Sequence, residues 1–338
     1  MRFNNVCIES VGWVLPQNVV TSNELEDAFS ETLARLGLPK GQLEKLSGVK
    51  ERRFWDPGTQ PSTVAAMAGN VALEQAGLDK SQIGVVINTS VSRDYLEPST
   101  AALVMGRMGM PHHTMGFDIA NACLGFLNGI WMAANMIELG QVDYALIVDG
   151  ETARDAATAT VERLRSPAAN SDTFRDHFAT LTLGSGAVAA VISRADLSRT
   201  GHRVKGIVTR SAPEHSTLCL GNQTEMRSDP HGLLVHGTGL AIEAWPQARE
   251  EFGWGDDTVD EFVCHQVSLA HFTTTFQKLG LPLEKALLTF PYLGNVGPAS
   301  TPLTLAMGVA QGRIKQGQEL CLFGVGSGLT CAIMSVQW

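Results

Sequence analysis

The sequence predicts an α/β fold made of two similar halves, each built on a largely parallel, buried sheet. Three observations carry this prediction. Strand-like and helix-like runs alternate along the chain, the second half repeats the first, and glycines gather in turn-like GSG, GNVG and GVGSG segments. At 338 residues the chain has room for two domains, or for one large fold of two halves.

In order, MRFNNVCIESVGWVL enters a strand-like apolar pattern almost at once. Further short apolar runs read as strands at 83–90 (IGVVINTS), 143–149 (DYALIVD), 187–193 (AVAAVIS), 261–265 (EFVCH), 319–323 (ELCLF) and 329–336. Helix-like runs fall at 23–36, 62–76, 123–139, 237–252, 268–279 and 302–312. The repeat is visible in three pairs of segments. VVIN (85–88) matches FVCH (262–265), a shift of 177 residues (265 − 88). IELGQVDYALIV (137–148) matches RIKQGQELCLFG (313–324), and setting Gly140 on Gly317 gives 177 again. LGSGAVAAVI (183–192) matches VGSGLTCAIM (325–334) at a shift of 142 (326 − 184). The lost residues place an insertion at about 150–183, read as a cap or a subunit contact, within the first of two halves spanning 1–195 and 203–338. Asp149, Glu151 and Arg154 stand where it begins and are expected to pair with one another.

Composition narrows the function. With 44% hydrophobic and 17% charged residues the chain belongs with soluble globular proteins. A net charge of −9 without a basic stripe argues against a nucleic-acid partner. No basic segment precedes an apolar core at the N-terminus, and no apolar run approaches a membrane span. The six cysteines lie far apart without CxxC spacing, and Cys7, Cys264, Cys321 and Cys331 sit in strand-like runs. They are expected as buried reduced thiols, which implies a cytoplasmic location.

Cys123 differs. It opens an apolar helix, where the positive end of the dipole favours thiolate and free N–H groups bind an oxyanion. His265 ends a strand at the position equivalent to Asn88, and Asn295 lies in a glycine-rich turn. A strand-end histidine or a turn asparagine is more often structural than catalytic. Cys, His and Asn at three related loop positions form a nucleophile with hydrogen-bonding partners suited to thioester chemistry.

On these residues, and on SGVKERRFWDP (47–57), FDIANACLGF (117–126), HQVSLAHFTTTFQKLGL (265–281), GNVGPAS (294–300) and GRIKQGQELCLFGVGSG (312–328), the chain resembles the thiolase superfamily, in its ketoacyl-ACP synthase III branch. The resemblance implies the thiolase fold, an αβαβα five-layer sandwich of two pseudo-symmetric halves, and an obligate homodimer. It implies that a thioester acylates Cys123, and that His265 and Asn295 hold the second thioester's carbonyl and its enolate. Backbone N–H groups of Cys123 and Ser327 would form the other oxyanion hole. No metal and no cofactor are expected; coenzyme A thioesters are the substrates.

One departure bears on the reaction. Before the helix starting near Pro98, the synthases carry an apolar residue, commonly Phe; here it is Glu97. A decarboxylating synthase makes its carbanion by losing CO2, and a carboxylate in the pocket would repel the malonyl group. A non-decarboxylating condensation must remove an alpha proton and needs a base, and a Glu in apolar surroundings has its pKa raised toward that role. This combination is similar to the OleA group, which joins two long-chain acyl-CoAs to a 2-alkyl-3-keto acid in head-to-head hydrocarbon synthesis. That similarity implies that Glu97 serves the other subunit's Cys123 and that downstream hydrocarbon-pathway enzymes take the product. Open alternatives are a decarboxylative synthase III using malonyl-ACP, a hydroxymethylglutaryl-CoA synthase-like condensation and a non-catalytic acyl binder. Glu97 alone could also be a helix-start charge.

For binding, Lys50, Arg52 and Arg53 are the nearest basic cluster for CoA phosphates, against the plainer reading of a solvated face. The arginine that binds CoA in the synthases aligns with Ala270. Phe117, Phe126, Trp131 and Met105 are candidates for pocket walls, although such spacing more often marks core.

Overall fold

A computed structural model describes residues 1–222 and 224–338. Nine strands form one sheet: β1 (Val6–Val14), β2 (Val85–Asn88), β3 (Met115–Asp118), β4 (Tyr144–Glu151), β5 (Gly186–Arg194), β6 (His202–Ser211), β7 (Glu261–Cys264), β8 (Glu319–Gly326) and β9 (Thr330–Gln337). Their spatial order is β7-β8-β9-β6-β1-β5-β4-β2-β3. The order reads alike from both ends up to the edge strand β3. β2–β4 and β7–β8 are parallel, while β4–β5, β5–β1, β8–β9 and β9–β6 are antiparallel. The two half-sheets join at two residue pairs of β1 and β6, Cys7 with Arg203 and Ile8 with His202.

Period-two alternation creates the layers. Ile87, Ile147, Val188 and Ala190 of the first half-sheet face the middle, as do Val263, Leu322, Ala332 and Met334 of the second. There they enclose α3 (Gly125–Glu138) and α8 (Ser300–Ala310). The alternate residues Val86, Leu146, Val148 and Ala189 face outward onto α1 (Pro61–Ala76) and α2 (Thr100–Met108). On the other side Phe262, Cys321, Phe323 and Ile333 pack on α6 (Pro230–Phe252) and α7 (Leu269–Leu279). The result is five layers, helix-sheet-helix-sheet-helix. Cys7, Cys264, Cys321 and Cys331 are buried and unpaired in these strands.

The pairing corrects the register of the repeat. Tyr144 opens β4 and Glu319 opens β8, a shift of 175 (319 − 144). Gly186 pairs with the last residue of β4 and Thr330 with the last residue of β8, a shift of 144 (330 − 186). The two GSG segments are not equivalent: the first leads into β5, whereas the second closes the hairpin between β8 and β9. The counterpart of His265 is therefore Thr89 and not Asn88. Thr89 N–H donates to the Val148 carbonyl at 2.9 Å, and His265 N–H donates to the Phe323 carbonyl at 2.7 Å.

The insertion between β4 and β5 holds α4 (Arg154–Arg165) and α5 (Ser171–His177). Val161, Leu164, Phe174 and Leu181 pack on Phe29, Leu33 and Leu43 near the N-terminus. Its last residues reach the second half. Asn295 N–H donates to the Thr182 carbonyl, and Gly184 N–H donates to the Asn295 carbonyl, both at 2.9 Å. A Cβ on Gly184 would lie 1.8 Å from the Leu293 carbonyl oxygen, so only glycine admits this contact. We expect Gly184→Ala to destabilise the protein by about 1–3 kcal/mol through forced backbone displacement. Urea unfolding measures it; an unchanged midpoint would contradict the packing described.

Candidate active site

Cys123 is placed by a sharp turn. After β3 the chain passes Ala122, whose φ of 43° is in the left-handed region, a conformation costly for a residue with a Cβ. A single 3₁₀ turn, Ala122–Leu124, then feeds α3. A Cβ on Gly125 would stand 2.5 Å from the Thr89 carbonyl oxygen, so the helix start sits tight against the end of β2.

His265 follows β7 directly. Its neighbour Gln266 is buried; its Nε2 donates to the Leu287 carbonyl at 2.7 Å, and its Oε1 accepts from Thr289 N–H at 2.8 Å. This clamps the His265 segment to the chain leading into the Asn295 turn. Asn295 is buried, and its Oδ1 accepts from Gly297 N–H at 2.9 Å. That bond orients the amide and leaves its NH2 without a protein acceptor among the described residues. Cys123, His265, Asn295 and Ser327 all line one cavity that opens to solvent.

Burial governs the protonation states. Desolvation pushes the Cys123 thiol up to about 12, with Cys219 and Glu151 adding to it. The N–H groups of Cys123 and Ser327 pull the other way but do not prevail. The expectation of a resting thiolate is thus corrected: the dipole of one helix end, worth up to about 2 kcal/mol, is outweighed by loss of water. Desolvation also lowers His265 to about 4, so its imidazole is neutral at pH 7. Neither ring nitrogen has a hydrogen-bond partner among the described residues. An unpaired neutral N–H beside an unpaired amide NH2 is a donor pair for a developing oxyanion.

The cavity walls come from segments the sequence reading passed over. Met226, Leu233 and Leu234 form one side, and Phe272, Phe276 and Leu329 another. Phe126 is buried in the core, and Phe117, Trp131 and Met105 pack against core clusters; none of the four lines the cavity. No Asp, Glu, Lys or Arg lines it among the described residues.

Matching family models are the thiolase N-terminal domain over residues 57–185 and the 3-oxoacyl-[acyl-carrier-protein] synthase III C-terminal domain over 250–338. The chain is 28% identical to a β-ketoacyl-[acyl-carrier-protein] synthase III of Cereibacter sphaeroides, over 98% of each. Over all of both chains it is 43% identical to the acyl-CoA:acyl-CoA alkyltransferase of Xanthomonas campestris, and 36% identical to that of Shewanella oneidensis. A crystal structure of the Xanthomonas campestris protein, OleA, with cerulenin bound superposes with a TM-score of 0.98, covering 100% of this chain and 98% of that one. The chain belongs to the OleA family. Solved variants of the Xanthomonas OleA carry substitutions at one glutamate, one cysteine and one histidine. Those positions are spaced along that chain as Glu97, Cys123 and His265 are in this one.

In this OleA-family chain, Glu97 does not reach its own Cys123 cavity. It lies on an exposed loop beside Leu96, which is 90% exposed, and Tyr95, which is 52% exposed. The basic cluster is also corrected. Arg52 is fully buried, donating to the Leu181 carbonyl and to Ser22 Oγ, both at 3.0 Å, and is a structural residue. Lys50 lies over the Tyr292 ring, and Arg53 donates to the Pro16 carbonyl. Arg154 turns away from Asp149 and Glu151 and donates to the Trp55 carbonyl at 2.6 Å. Among the described residues no group of three or more His, Cys, Asp or Glu could hold a metal ion, and no helix is long and apolar enough to cross a membrane.

The raised thiol has a direct readout. Alkylation of Cys123 by iodoacetamide, followed on its peptide by mass spectrometry, should keep accelerating through pH 10. An accessible thiol would level off above its ordinary value near 9; such a plateau would contradict the burial effect.

Proposed function

We propose that this protein is an acyltransferase that joins two long-chain acyl-CoAs to a 2-alkyl-3-keto acid without decarboxylation. The observation that carries the reading is the convergence of Cys123, His265 and Asn295 on one apolar cavity without a charged wall residue. An alkyl chain fits such walls, whereas a malonyl carboxylate would find no cation there. Family membership supports the same reading, since the relatives at 43% and 36% identity are named for alkyl transfer between acyl-CoAs.

Cys123 Sγ attacks the first thioester, its bond to carbon replaces that of CoA, and the thiol proton leaves with CoA. The Cys123 and Ser327 N–H groups hold the oxyanion of this step. The second acyl-CoA then sets its carbonyl oxygen on His265 and the Asn295 amide, whose donors stabilise the enolate. A carboxylate removes the alpha proton, the carbanion attacks the acyl-cysteine carbonyl, and Cys123 departs and is reprotonated. Water hydrolyses the remaining thioester, releasing the second CoA and the keto acid.

We assign the base to the partner subunit's Glu97. Two features of this chain favour a homodimer that delivers it. β3 lies at the sheet edge with Met115 55% exposed, and the Glu97 loop presents Val91, Tyr95 and Leu96 to solvent. An open strand edge beside exposed apolar side chains is a surface that proteins normally cover. The unpaired cysteines suit a cytoplasmic location. A 3-keto acid loses CO2 readily, which favours transfer to downstream hydrocarbon-pathway enzymes.

With myristoyl-CoA as sole substrate, CoA release and a long 3-keto acid (or its ketone) are expected. Product formed only on addition of malonyl-ACP would overturn the reading. Glu97→Ala should acylate Cys123 and condense little. Reassociating Glu97→Ala with Cys123→Ala subunits should restore up to about a quarter of wild-type condensation, since mixed dimers hold one complete site. No recovery would place Glu97 outside the partner's site.

A further inference from the structure

Two carboxyl groups lie buried at the end of β4, where the reaction above leaves them without a role. Asp149 is fully buried and Glu151 is 6% exposed, and neither forms an ion pair with a Lys, Arg or His among the described residues. Glu151 accepts three hydrogen bonds from the loop that leads to Glu97. Val91 N–H reaches Oε1 at 2.6 Å, and Ser92 N–H and Oγ reach Oε2 at 3.1 and 2.6 Å. Asp149 Oδ2 accepts from the Thr89 hydroxyl at 2.6 Å, while its Oδ1 has no donor. Desolvation raises both carboxyl groups, Glu151 to about 7. The Glu151 carboxyl carbon also stands 3.5 Å from where a Cβ on Gly297 would be, against the turn that orients Asn295.

We propose that Glu151 is a positioning residue for the condensation step: its carboxyl, buried at the end of β4, fixes the root of the Glu97 loop through Val91 and Ser92. The proposal rests on the role given to Glu97. Its consequence is selective. Acyl transfer to Cys123 uses groups of the same subunit and does not need the loop root, whereas alpha-proton removal needs the Glu97 carboxylate placed to within a fraction of an ångström.

The test separates the two steps, measuring the single-turnover burst of CoA for acylation and keto acid for condensation. Glu151→Gln replaces one acceptor oxygen by a donor that faces Ser92 or Asp149. It should lower condensation about 10- to 100-fold while the burst keeps its amplitude and KM. Ser92→Ala, a milder change on the loop side, should move the ratio in the same direction. Equal loss of both steps, or full condensation in Glu151→Gln and Ser92→Ala, would overturn the proposal. Glu97→Ala run alongside keeps the failures apart. Normal condensation there removes the Glu97 reading itself, while loss there with retention in Glu151→Gln removes only the positioning role.

Discussion

Desolvation of half-buried groups beside the cavity is the constraint on which the rest of the site depends. It holds the Cys123 thiol protonated and the His265 imidazole neutral, overriding the helix end that would otherwise favour a thiolate. The same dryness makes the remaining dipoles count. An N–H group aimed at a developing oxyanion is worth more where no water competes for the charge. The resting site is therefore quiet, and its charges are created on thioester oxygens once substrate has arrived.

Carboxylates are distributed to match. None lines the cavity, so a long alkyl chain meets apolar walls. Glu97 waits outside on an exposed loop, and Asp149 with Glu151 is buried just behind the site. In the proposed mechanism a single subunit supplies the nucleophile and the donors but not the base, and the open edge at β3 lies beside the loop that carries Glu97. Both arrangements follow from one problem: alpha-proton removal needs a carboxylate that the acylation step does best without.

Much of this was legible in the sequence, because buried strands and helices impose periods. The runs at 83–90, 143–149 and 187–193 became β2, β4 and β5, and the helix after Cys123 is α3. Cys123 and His265 stood out because each follows a strand, and Asn295 because it lies in a glycine-rich turn. The register of the repeat did not, because identical GSG letters serve a strand entry in one half and a hairpin in the other. The cavity walls at 226–234 left no periodic signal, lying in a three-residue strand of a short hairpin and at the start of a long helix. Arg52 looked like a surface cation, and only the hydroxyl and carbonyls around it show otherwise. Asp149 and Glu151 were visible as residues expected to pair with Arg154; that Arg154 bonds to the Trp55 carbonyl instead is a fact about space.

The central claim is that two acyl-CoAs are joined with every carbon retained. It is tested most directly by giving the enzyme [1-¹³C]myristoyl-CoA alone and trapping the product as its methyl ester at the moment of formation. The account predicts both labelled carbons in each product molecule, at C1 and C3, with two CoA released. A product that carries one label when trapped would contradict it.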